Sequence, residues 1–301
     1  MRYIMSGCLV LLLTSAISCA QAAVKVFTCE PEWAALVTEL GGAQVDVYAA
    51  TNGLQDPHRV EARPSLIAKL RNADLLVCTG SGLEAGWLPV LLRQSGNARV
   101  QPGTPGYFEA ASHVTMLEVP ATVDRAMGDV HPGGNPHIHL DPRRIAQVAA
   151  VLAGLLAEID RDHASLYRQR YADFSSRWQA AMVRWEKIAA PLRGAAIIAH
   201  HKDWVYFADW LGLREAATLE PLPGLPPTVL HLAELKDRYK AGDVLAIIRT
   251  PYQDAKGAEW LNRQTGIPAV VLPYSVGGTP AATDLFALFD ESLRMLLELK
   301  R

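Results

Sequence analysis

Residues 161–190 read RDHASLYRQRYADFSSRWQAAMVRWEKIAA and contain no glycine and no proline. Apolar or aromatic side chains recur at Tyr167, Tyr171, Phe174, Trp178, Met182, Trp185 and Ala189. Steps of three and four residues put them on one face of a helix. A continuous helix over this stretch is about 45 Å long, enough to run the length of a small protein. The stripe is aromatic and spans about four heptads, which fits a coiled coil poorly. Such a helix acts as a strut and resists the wide closure that flexible linkers permit.

The chain on either side alternates between short apolar runs and amphipathic stretches. Before the strut, residues 24–29, 45–49 and 75–79 read as strands, and 32–40, 65–72 and 87–94 as helices. After it, 195–199, 244–248 and 269–272 read as strands, and 204–211, 229–240, 258–264 and 284–297 as helices. Alternation of this kind predicts parallel, doubly wound sheets. The expected architecture is two α/β lobes joined by one long rigid helix. A leader occupies 1–22, the first lobe 23–150, a linking helical region 151–190 and the second lobe 191–301. The Gly- and Pro-rich stretches 128–136 and 221–227 read as surface loops.

A formal charge of −2 on 301 residues gives no electrostatic case for nucleic acid. The leader carries one charge, Arg2, before an apolar run too short to span a bilayer, and ends Ala20-Gln21-Ala22. That is the pattern of a cleaved secretory signal, predicting an exported, periplasmic protein. Cys19 offers a lipid-anchor alternative, but Ala16-Ile17-Ser18 before it makes a poor lipobox. Cleavage leaves Cys29 and Cys78, each at a strand end, where either a disulfide or two buried thiols is open. A cysteine-rich metal site is excluded by their number.

Nine histidines are present. His113, His163 and His231 read as ordinary surface positions. Asp56-Pro57-His58, Asn135-Pro136-His137-Ile138-His139 and His200-His201 stand apart. His201 follows directly on a strand, and in open α/β sheets ligands bind beyond the carboxyl ends of strands. His58 and His201 belong to opposite lobes, which places a shared ion in the cleft between them. Three imidazoles and an oxygen are a common tetrahedral zinc set. Proline before His58 and before His137 fixes the local backbone. Asp56 and Asp141 are candidates for orienting the imidazoles.

These motifs resemble those of the zinc/manganese ABC-transporter solute-binding proteins. Residues 56–65, DPHRVEARPS, are similar to the first ligand motif of that family. Asn135-Pro136-His137 with Leu140-Asp141-Pro142 resembles the second, and residues 201–207, HKDWVYF, with Leu211-Gly212-Leu213 the third. The resemblance implies two lobes on a long helix, metal held by His58, His137 and His201, and delivery to a membrane permease with its ATPase, by a monomer. His139 falls where the family often has an aromatic residue, and His200 precedes its motif; both are left with a tuning role. His131 is the one histidine in a loop that some members fill with histidine and acid.

One departure concerns the fourth ligand. The family often supplies a carboxylate after the last strand, whereas residues 273–278 read PYSVGG. Water, Asp284 or Glu30 then remain for that position. A nitrogen-rich set favours Zn(II) over Mn(II). The rival from another class is an exported zinc hydrolase, with Glu30, Glu61 or Asp203 as acid or base, although no H-E-x-x-H helix or nucleophile motif is present. A metal-dependent adhesin or zinc chaperone is not separable from the transport role by sequence.

Overall fold

The computed structural model describes residues 22–122, 124, 127–128 and 130–300. Of the expected leader, all but Ala22 lies outside the described residues.

Two four-stranded sheets form, each entirely parallel. The first has the order β2 (Val45–Ala49), β1 (Val24–Thr28), β3 (Leu75–Cys78), β4 (Tyr107–Glu109). The second repeats the plan with β6 (Arg214–Thr218), β5 (Ala196–Ala199), β7 (Ala246–Arg249) and β8 (Ala269–Val271). Inner strands β1, β3, β5 and β7 are near-continuous apolar runs, as strands covered on both faces must be. The sequence patterns missed β4 and β6. Both are edge strands, and β6 reads Arg-Glu-Ala-Ala-Thr, a composition that backbone pairing rather than propensity makes extended.

Helices α1 (Pro31–Gly41), α2 (Pro64–Arg71) and α3 (Leu88–Ser95) cover the first sheet. Helices α6 (Val205–Leu211), α7 (Val229–Arg238), α8 (Lys256–Thr265) and α9 (Leu285–Glu298) complete the second lobe. Three of these helices carry proline in the first turn, where its missing N–H costs no hydrogen bond.

The long helix α5 runs over Ala164–Ala189, 26 residues, preceded by a 3-10 turn at Arg161–His163. It is not a bare strut. Helix α4 (Pro142–Ile159) lies antiparallel along it, as Tyr167 Oη donates to Asp160 at one end and Trp178 Nε1 to Pro142 O at the other. Its buried face is Tyr167, Phe174, Trp178, Ala181, Trp185 and Ala189, with Tyr171 and Met182 half-buried beside it. Arg170 donates to Glu39 O on α1, and Trp185 Nε1 to Asp290 on α9 at 2.6 Å. One helix thus grips both lobes, and the main hydrophobic core is continuous between them.

The lobes also meet directly. Tyr206 Oη on α6 donates to Asn135 O at 2.7 Å and accepts from Leu117 N at 2.9 Å. A Cβ at Gly53 would stand 2.3 Å from Gly278 N, so only glycine permits that backbone approach. Cys29 and Cys78, at the ends of neighbouring β1 and β3, form a disulfide.

Candidate metal centre

Three loops past strand ends bring His58, His137 and His201 together, with one ligand atom from each mutually within 4.8 Å. Ring centroids are 5.4 Å apart for His58–His137 and 5.9 Å for the other two pairs. The interplanar angles of 65°, 81° and 83° are those of rings converging edge-on rather than stacking. Each loop is fixed locally. Pro57 O accepts from Trp87 Nε1 at 2.9 Å, His137 N donates to Asn135 Oδ1 at 3.1 Å, and His201 leads from β5 into a 3-10 turn at Lys202–Trp204.

Every one of the three rings has its Nδ1 committed. His58 Nδ1 lies 2.9 Å from Asp56 Oδ1, His137 Nδ1 2.7 Å from Tyr274 Oη, and His201 Nδ1 2.6 Å from Glu220 Oε2. A carboxylate only accepts, so His58 and His201 each turn a proton on Nδ1 toward their carboxylate, leaving Nε2 as the other ring nitrogen. His58 Nε2 is buried and makes no hydrogen bond. This pairing of an imidazole N–H with an outer carboxylate or hydroxyl is the usual support of a metal-bound histidine.

The electrostatics favour neutral imidazole at the deepest position. Burial, reinforced by the surrounding His58, His201, His139 and His131, holds the His137 pKa well below the ordinary value. Burial pushes the Asp56 carboxyl up, but hydrogen bonds from the His58 side chain and backbone outweigh it and leave Asp56 below its usual range. A donor set of three nitrogens at one point suits zinc chemically, and the orphaned His58 Nε2 is an atom that a cation would satisfy.

Of the sequence-nominated orienting carboxylates, Asp56 does what was expected. Asp141 does not. It caps α4 by accepting from Arg143 N and is paired with the Arg143 and Arg144 guanidinium groups. Asp284 is likewise used as a cap, accepting from Ala287 N at the start of α9. Glu30 faces Thr79 Oγ1 at 3.1 Å, and burial beside Glu84 and Glu32 drives its pKa well upward. His131 stands with its ring 5.4 Å from that of His58. His200 is buried, with its N–H on Ile248 O. His139 is fully buried and belongs to a contact between the lobes: Nε2 donates to Tyr274 O at 2.9 Å, and Nδ1 is 3.3 Å from Glu32 Oε1.

Residues 26–298 match the family model described as zinc-uptake complex component A, periplasmic. The chain belongs to this family. A curated member, the high-affinity zinc uptake system protein ZnuA of Paracoccus denitrificans, is 23% identical over 93% of this chain and 92% of its own length. The zinc-binding lipoprotein AdcA of Streptococcus pneumoniae is 20% identical over 86% of this chain, which spans only 52% of that relative. Among solved structures, one of ZnuA superposes with TM-score 0.75 at 24% identity, covering 91% of this chain and 98% of the other. The laminin-binding adhesin Lmb of Streptococcus agalactiae, in a mutant form, gives 0.75 at 22% identity over 93% and 100%. At these identities the structural likeness shows the shared two-lobed fold.

The family resemblance did not reveal Glu220 and Tyr274, which follow β6 and β8. Asp203, which the sequence offers as an acid or base of the rival hydrolase, is signalled by its place two residues after His201.

Proposed function

We propose that this chain is an extracytoplasmic solute-binding protein that captures one Zn(II) through Nε2 of His58, His137 and His201 and delivers it to the permease of an ABC importer. The observation that carries this reading is the convergence of three imidazoles from both lobes, each with Nδ1 anchored. Family membership supports the transport role, and the zinc-uptake role named for its relatives agrees with it. The anchored rings are pre-organised, which lowers the ordering cost of binding. The nitrogen-rich set favours Zn(II) over Mn(II) as cargo. The Cys29–Cys78 disulfide suits an oxidising compartment and so supports export and a periplasmic location. Two cavities border the histidines, one of about 70 Å³ against His58 and His201 and one of about 440 Å³ against His137 and His201, so an ion has both a tight seat and a route to it.

Competition titration against a chromophoric chelator tests the binding half. One zinc per chain at a Kd near nanomolar, about −12 kcal/mol, is expected. Loss of all metal on dialysis would overturn it. Deleting the gene tests the transport half: growth in zinc-chelated medium should fail and be rescued by added zinc.

A further inference from the structure

Asp203 is the acidic residue closest to the three imidazoles that is left without an evident purpose. Its side chain is 1% exposed, and Oδ1 is buried without a hydrogen bond. That oxygen stands 3.6 Å from His137 Nε2, which is too long for a hydrogen bond. The other oxygen, Oδ2, accepts from Gln253 Nε2 at 2.6 Å, and Gln253 Oε1 in turn accepts from Thr250 N at 2.8 Å. The carboxylate is therefore held by one oxygen while the other faces His137 Nε2. Asp203 also lines the small cavity shared by His58 and His201.

We propose that Asp203 supplies the fourth zinc ligand through Oδ1, taking the place of the carboxylate missing from residues 273–278. This rests on the three-histidine reading above. Magnitudes favour ligation over an ion pair. Four ligands at about 2.0–2.1 Å in tetrahedral geometry are separated from one another by about 3.4 Å. The observed 3.6 Å between Oδ1 and His137 Nε2 is close to that edge. An isolated buried carboxylate oxygen is costly, and a cation at this point removes the cost. The position follows from the fold. Lys202–Trp204 is a 3-10 turn directly after His201, so the segment that carries His201 into the site also carries Asp203. Because residues 273–278 instead contribute Tyr274, whose Oη lies on His137 Nδ1, that loop orients a ligand and Asp203 provides one.

The test compares wild type, Asp203→Asn, Asp203→Ala, His131→Ala and His58→Ala, each titrated with zinc against a chelator and with Co(II) followed by its visible d–d spectrum. Asp203→Asn and Asp203→Ala should still bind one ion, with zinc affinity about 10- to 1000-fold weaker and an altered Co(II) spectrum. Metal-free Asp203→Asn should melt no lower than metal-free wild type, since Oδ1 makes no hydrogen bond that the change could remove. A zinc-loaded wild-type crystal should place Oδ1 within bonding distance of the metal. Wild-type affinity and spectrum in both Asp203 variants, or loss in His131→Ala alone, would overturn the proposal. Failure of wild type itself to bind zinc would instead overturn the three-histidine reading, so the two failures are distinguishable.

Discussion

Glu220 Oε2 lies 2.6 Å from His201 Nδ1 and, from the same oxygen, accepts Gly224 N at 2.8 Å. One carboxylate thus sets the tautomer of His201 and ties down the proline-rich loop that follows β6. Glu220→Gln leaves the side chain's size unchanged but removes the charge that favours Nδ1–H. Zinc affinity should drop about 10- to 100-fold, as is usual when the outer partner of a metal-bound histidine is lost. Asp56→Asn should act in the same direction at His58. Chelator competition measures both, and unchanged affinity in both variants would contradict the assigned tautomers.

His139 and Glu32 link the lobes below the site. Because His139 Nε2 donates to Tyr274 O, its Nδ1 faces Glu32 Oε1 at 3.3 Å, and the two buried polar atoms have each other as nearest partner. Glu32 Oε2 also accepts from Ser275 Oγ, across from α1 to the loop after β8. Removing one partner strands the other in a fully buried setting, so His139→Leu should destabilise the protein by about 3–5 kcal/mol. Glu32→Gln with His139→Leu together should recover part of that loss. Chemical denaturation of the metal-free proteins checks it.

Cys29 and Cys78 are 49 positions apart, and joining them removes much loop entropy from the unfolded chain. In the chain-entropy account, a closed loop of that length contributes about 4 kcal/mol. Reduction, or Cys29→Ser with Cys78→Ser, should lower the midpoint of denaturation accordingly. Both cysteines lie outside the histidine cluster, so zinc stoichiometry of the folded Cys29→Ser, Cys78→Ser protein should remain one.

Glu215, on the edge strand β6, gives a pH signature. Burial raises its pKa from 4.5 to about 7, and the nearby Lys202 only partly offsets this. The folded state therefore binds more protons than the unfolded state between those values, and stability falls as pH rises through the window. Glu215→Gln should be near neutral at about pH 4 and stabilising by up to a few kcal/mol at about pH 8. Thermal melts of both proteins at the two pH values test the sign.

Much of this was legible in the sequence. The 3.6-residue stripe from Tyr167 to Ala189 located the long helix, and short apolar runs located the inner strands. His58, His137 and His201 were nominated by ordered motifs beside prolines and strand ends, and the fold brings those three together. The orienting groups were less accessible, since Tyr274 is 137 positions from His137 and local spacing cannot report such a contact. Asp141 shows the opposite error. Its sequence nearness to His137 suggested an orienting role, whereas the helix start at Pro142 and two arginines one turn on gave it stronger partners. Edge strands β4 and β6 escaped because their pairing is set by neighbours and not by their own side chains.

The central claim is that His58, His137 and His201 hold one zinc between the lobes. An anomalous difference map collected across the zinc edge from zinc-loaded crystals tests it most directly. The expected result is a single strong peak about 2.0–2.1 Å from Nε2 of all three residues. A peak elsewhere, or one bonded to Nδ1 or to fewer than two of these imidazoles, would contradict it.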